Sequence, residues 1–271
     1  MSLVLPSNVA LLGSSIDPDA ARWIAVVGSA NVSQPRGRLV SDTIRALKAA
    51  NVWAALDFLP VLTAENTASA LVDWKNLRTM TATNSPTFVA DAGYAFNGTS
   101  YINTGFIPST HATSATGTSQ MIGVYERTNV ASSGRAFGAN VVVPTQSVHI
   151  LPSNGSNAFA TINTANTVYI SGATDSRGLF VAAATGTAGA GYKNGVATLT
   201  PTLTNPGSSL VNIALFIGGY NQLVSTVPTL TVPRSSTLGY CLYGGNAWSA
   251  TQHAAFYNVM QRYMRVLGAN V

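Results

Sequence analysis

The chain has 271 residues, enough to bury a sizeable core as one large domain or as a domain with an appendage. Charged residues are only 8% of it, against roughly 25% in an average soluble domain, and Ala, Ser, Thr, Asn and Gly take their place. The 14 Lys and Arg against 9 Asp and Glu leave a net charge of +5, but the bases are scattered, with Arg36-Gly37-Arg38 the densest pair; this argues against nucleic acid, whose binding sites cluster bases with interleaved aromatics.

Met1-Ser2-Leu3-Val4-Leu5-Pro6 lacks the basic start and long apolar stretch of a signal peptide. No apolar run approaches the roughly 20 residues of a membrane span, so no membrane insertion is expected. Val9–Leu12 and Trp23–Val27 are short apolar runs, separated by Asp17-Pro18-Asp19 and closed by Gln34-Pro35-Arg36-Gly37. They read as two short strands or as an extended arm. Ser41 or Asp42 is the expected cap of a helix to about Ala50, followed by a helical turn or two from Val52 to Leu59 that Pro60 ends. Thr63–Trp74 reads as a third helix or as the lead-in to a strand.

From Thr79 the pattern changes to short apolar or alternating runs between Pro, Gly, Asn and Ser clusters, which predicts an antiparallel β-sandwich or jelly roll. Asn97-Gly98 and Asn194-Gly195 are predicted hairpin turns, because both residue types tolerate the positive φ of a type I′ turn. Cys241 is the single cysteine, which excludes an intrachain disulfide and a thiolate metal site. Ser249-Ala250-Thr251-Gln252 is a capping box. Phe256, Val259, Met260, Tyr263, Met264 and Leu267 then follow at helical spacing, and Gly268 stops the helix.

Several of these runs resemble a known superfamily. Asn84–Phe88 with Tyr94–Thr104 is similar to the opening strands of concanavalin A-like (laminin-G-like) jelly rolls. Gly191–Val196 and Phe216–Gly219 resemble later strands, and Leu242-Tyr243, Trp248-Ser249 and the final helix its ending. With Ile44–Lys48 and Trp53–Asp57 the pattern resembles proteins encoded in phages and prophages of proteobacteria. The resemblance implies residues 1–78 as an arm with short helices for attachment or oligomerisation, and 79–271 as a jelly roll closed by the helix 249–268.

Glucanases of that superfamily carry a Glu-x-Asp-x-x-Glu strand, and hydrolysis needs two flanking carboxylates. That strand is absent here, and after Asp91 the acids are Glu126 and Asp175 alone. Glu126 is expected to pair with Arg127 or Arg135. His111, His149 and His253 have no metal-ligand spacing, and acids this sparse give calcium no support. No catalytic residue, metal or cofactor is assigned. Tyr101, Tyr125, Tyr192 and Tyr220 are the candidate glycan-stacking residues, while Trp248 beside the helix cap is expected to be a packing anchor. The resemblance implies a non-enzymatic structural protein of a phage virion, assembled in the bacterial cytoplasm. It would be a homo-oligomer among other virion proteins, displayed as a tail fibre, spike or capsid decoration that binds host cell-surface polysaccharide. The alternatives are a carbohydrate-active enzyme, a hydrolase or lyase, and a free-standing lectin-like module.

Overall fold

The computed structural model describes residues 15–142, 145–162, 167–171, 174–203, 209–223, 228–245 and 248–271. Asp17 opens α1 (Pro18–Val27): its carboxylate accepts from the Asp19 N–H, and Pro18 sits in the first turn, where a missing N–H costs nothing. Ser33 caps α2 (Gln34–Ala49) the same way, with Pro35 in its first turn. The expected cap at Ser41 or Asp42 is therefore corrected. Both lie inside the helix, where the Ser41 hydroxyl accepts from the Asp17 N–H and Asp42 pairs with Arg45. Proline at the start of a helix, read as the end of a segment, is the source of the error. Trp23–Val27 is likewise helix rather than strand or arm, and Val9–Leu12 lies outside the described residues.

The expected helical turn at 52–59 is instead a strand, β1 (Leu56–Phe58), buried along its length and paired with a late strand of the sandwich. α3 (Thr67–Ala70) follows, capped by Asn66. Then come β2 (Thr81–Thr83), β3 (Thr87–Val89), β4 (Gly93–Ala95), β5 (Tyr101–Asn103), α4 (Pro108–His111), β6 (Ser119–Glu126), β7 (Phe137–Val141) and β8 (Gln146–Leu151). β9 (Ala158–Ile162), β10 (Thr167–Ser171), β11 (Gly178–Thr185), β12 (Ala188–Lys193), β13 (Val196–Leu199), β14 (Phe216–Ile217), β15 (Tyr220–Leu223), β16 (Pro228–Thr231), β17 (Thr237–Gly244) and α5 (Ala250–Val266) complete the described α-helices and strands.

Two sheets face each other. The first runs β13-β12-β11-β6-β17-β4-β3, with β1 beside β17. The second runs β10-β9-β8-β7-β14-β5-β2, with β15 on β7 and β16 on β15. The β15–β7 pairing is parallel, so the sandwich is mixed rather than purely antiparallel. The inter-sheet core holds Phe58, Ile102, Val124, Phe137, Ile150, Phe180, Ile217 and Tyr243. A second core lies outside the first sheet, where Tyr125, Leu179, Val181, Tyr240 and Leu242 meet Trp23, Ile44 and Leu47 of the early helices and Phe256, Met260 and Tyr263 of α5. The three long helices thus all pack on one side of the sandwich.

α5 begins at the predicted capping box: the Ser249 N–H donates to Gln252 Oε1 at 2.9 Å, and the Gln252 N–H to Ser249 Oγ at 3.3 Å. The two Asn-Gly pairs behave differently. Asn194 and Gly195 have φ of +51° and +77° and join β12 to β13 with Lys193 opposite Val196, a two-residue type I′ hairpin. Asn97-Gly98 is no hairpin. β4 pairs within the first sheet and β5 within the second, so the segment crosses between sheets. Gly98 alone takes a positive φ, while the Asn97 side chain accepts from the Thr99 and Ser100 N–H groups and shapes the corner.

Candidate functional site

The register of the second sheet sorts its side chains. Ile102, Ile217, Phe137, Ile150 and Ala160 are partners in turn across five strands, and all lie in the inter-sheet core. Asn103, Phe216, Gly138, His149 and Thr161, each one residue away, are also partners in turn, and the two-residue period of a strand turns them outward. Tyr101 and Asn140 follow the same parity, and the pairing of Gln222 with Asn140 brings Tyr220 and Gln222 to this face.

Here Tyr101 stacks on Phe216 with centroids 4.4 Å apart, and Tyr220 on His149 at 5.0 Å. The Arg135 guanidinium lies 5.0 Å over the Phe159 ring. Tyr101, Asn103, Asn140, Phe159 and Gln222 are half-buried. Burial, helped by the charge of Arg135, pushes the His149 imidazole down to about 3, so the ring is neutral at physiological pH. The face is therefore aromatic and amide-bearing, with a single guanidinium and no carboxylate among the residues named. Flat rings beside amides can hold a sugar: its C–H face packs on the ring, and its hydroxyls bond the amides.

Of the four tyrosines singled out from the sequence, the fold brings Tyr101 and Tyr220 to this face. Tyr125 and Tyr192 lie on the first sheet beneath α5. The Tyr125 ring stacks on Tyr240, and its hydroxyl accepts from the Val271 N–H and the Gln261 amide. Tyr192 stacks on His253 at 3.7 Å. Both are buried, and at 8% exposure Tyr220 is as buried as Tyr192, so Tyr101 is the one of the four that is half-buried. Sequence reasoning missed Phe216, His149, Asn140 and Gln222; alternation puts each on one side of its own strand, but only the pairing of β14, β7, β8 and β15 brings them together. Trp248 is a packing residue, 6% exposed, with its indole N–H on the Val52 carbonyl and its ring against Phe256.

The two carboxylates that follow Asp91 are each engaged with an arginine. Glu126 is wholly buried and bonded to Arg234 at 2.8 Å, not to Arg127 or Arg135 as expected, and Asp175 sits on an exposed turn against Arg177. Arg127 instead donates to the Ala269 and Ala92 carbonyls. Among the described residues no three His, Cys, Asp or Glu side chains converge as a metal site would require, and no helix is long and apolar enough to cross a membrane.

No protein-family model matches the chain, and no curated protein sequence matches it. Solved structures do share its fold. Trypanosoma rangeli sialidase, in complex with a difluorinated nononic acid, is 10% identical with a TM-score of 0.53, over 84% of this chain and 40% of the sialidase. Domain 4 of AbnA, a GH43 extracellular arabinanase from Geobacillus stearothermophilus, in complex with arabinotriose, is 12% identical with a TM-score of 0.51, over 74% of this chain and 97% of that domain. The botulinum neurotoxin serotype G binding domain is 10% identical with a TM-score of 0.51, over 76% of this chain and 51% of that one. The chain thus spans less than half of the sialidase it matches. The expectation of a non-enzymatic chain is corrected by these neighbours: a sialidase and a domain of an arabinanase share the fold, which gives no ground for excluding catalysis. The chain is a mixed β-sandwich with a helical cover, of the fold found in these carbohydrate-active proteins and in a toxin binding domain.

Proposed function

We propose that the chain is a carbohydrate-binding β-sandwich module and that the outer face of its second sheet is the binding surface. The observation that carries this reading is the half-buried Tyr101 ring, backed by the buried Phe216, beside the half-buried amides of Asn103, Asn140 and Gln222 on the side of the sandwich away from the long helices, with the buried Tyr220–His149 stack as part of its floor. A glycan array followed by titration with the best oligosaccharide tests it, with arabinotriose included. Tyr101→Ala should weaken binding about five- to tenfold, the value of roughly 1 kcal/mol or slightly more for one aromatic contact. An array without a hit, or a Tyr101→Ala variant that binds like wild type, removes the proposal.

The fold shared with domain 4 of an extracellular arabinanase over 97% of that domain favours a second reading, a carbohydrate-active enzyme or a domain of one. Release of new reducing ends from the bound polysaccharide separates the two. Display of the module on a phage particle, as a homo-oligomer among other virion proteins, extends the proposal and rests on the sequence resemblance. Mass spectrometry of purified particles tests that extension, and absence from particles removes it.

A further inference from the structure

The last turns of α5 carry hydrogen-bond donors that the fold leaves unspent. A depression of about 340 Å³ is lined by Tyr257, Asn258, Gln261, Arg262, Arg265, Asn270 and Val271. Its back wall is ordered: the Gln261 amide donates to the Tyr125 hydroxyl at 3.1 Å and to the Tyr257 hydroxyl at 3.0 Å, and the Val271 N–H donates to Tyr125 at 2.8 Å. Tyr257 accepts in this chain, which leaves its own hydrogen to give. Arg262 and Arg265 are exposed, stand three residues apart on the helix, and form no ion pair among the described residues. The exposed amides of Asn258 and Asn270 face the same hollow. Positive charge at a helix C-terminus complements the helix dipole, which accounts for the arginines but not for the amides and phenol gathered around them.

We infer that this depression is a second ligand site, on the opposite side of the sandwich from Tyr101, for a polyhydroxylated carboxylate such as a hexuronic acid unit. The carboxylate meets the guanidinium groups of Arg262 and Arg265, and the hydroxyls meet Asn258, Asn270 and the Tyr257 hydroxyl. The choice of an acidic sugar rests on the carbohydrate reading above; the pair of unpaired arginines does not.

Calorimetric titration of the full chain with sodium glucuronate, methyl glucoside and inorganic phosphate at fixed ionic strength tests it. Glucuronate should bind at least about tenfold more tightly than either of the others, and the Arg262→Gln/Arg265→Gln double variant should lose that preference at an unchanged melting temperature. No heat with glucuronate, equal affinity for methyl glucoside or for phosphate, or a preference that survives the double variant overturns the inference. Neutral-glycan binding read through Tyr101→Ala is a separate measurement. Its failure with glucuronate binding intact removes only the sheet-face proposal, and the converse removes only this one.

Discussion

Replacing Arg234 with methionine should cost the fold about 3–5 kcal/mol, the usual penalty for removing one partner of a buried ion pair. Arg234 is wholly buried ahead of β17, and its guanidinium is shared among five acceptors. Nε donates to Glu126 at 2.8 Å, Nη1 to the carbonyls of Ser132, Gly134 and Ser153, and Nη2 to the Val130 carbonyl at 2.6 Å. One side chain thus ties the end of β6, the loop leading to β7 and the loop after β8. Methionine fills much of the volume but takes the guanidinium from the Glu126 carboxyl and from the carbonyls of Val130, Ser132 and Gly134, each carbonyl worth about 1–3 kcal/mol if water does not reach it, while Ser153 keeps the Ser132 N–H. The ion-pair figure is therefore a lower bound. At about 2–4 °C per kcal/mol for a domain of this size, the melting temperature should fall by about 6–20 °C, measured by circular dichroism at pH 7. Burial pushes the Glu126 carboxyl up to about 7 against the pull of Arg234, so Glu126→Gln should cost less than Arg234→Met. The double variant should cost less than the sum, because it strands no charge. A melting temperature within about 2 °C of wild type for Arg234→Met, or strict additivity in the cycle, refutes the reasoning.

The buried His253 ring gives a pH test. Burial pushes it down to about 4, below its ordinary 6.5, so its contribution to stability is full above pH 6.5 and is lost as pH falls toward 4. His253→Phe keeps the stack on Tyr192 and removes a buried Nε2 that has no partner among the described residues. Relative to this variant, wild type should lose about 3 kcal/mol between pH 7 and pH 4 in denaturant titrations, and identical pH slopes would contradict it. Gly195→Ala should destabilise by about 2 kcal/mol or more, because the positive φ is strained and the new Cβ meets the Ala254 backbone at 2.8 Å. Gly98→Ala should cost about 1 kcal/mol, since its nearest neighbour is the Ser235 hydroxyl at 3.0 Å, which can rotate away. Denaturation midpoints in the reverse order would show the contacts to be misjudged.

Elements whose energy is local were legible in the sequence. The capping box at Ser249 and Gln252, the Asn194-Gly195 turn and the helix of α5 need only neighbours within four residues, and each is where its residues place it. The sandwich was legible from the short alternating runs after Thr79. Tertiary structure decided what local chemistry leaves open. Asn97-Gly98 carries the same turn signal as Asn194-Gly195, yet its flanking strands pair in opposite sheets, and ladder pairing with burial of Tyr94, Phe96 and Ile102 outweighs a turn preference. Glu126 found its partner 108 residues along the chain, beyond any local pattern. The candidate site was half legible for the same reason. Tyr101, Tyr125, Tyr192 and Tyr220 look alike in sequence, and β6 is buried on both faces, so alternation could not tell which ring lies under a helix. That was decided when α1, α2 and α5 packed on the first sheet, burying Tyr125 and Tyr192 beneath a second core while Tyr101 and Tyr220 stayed on the side away from it.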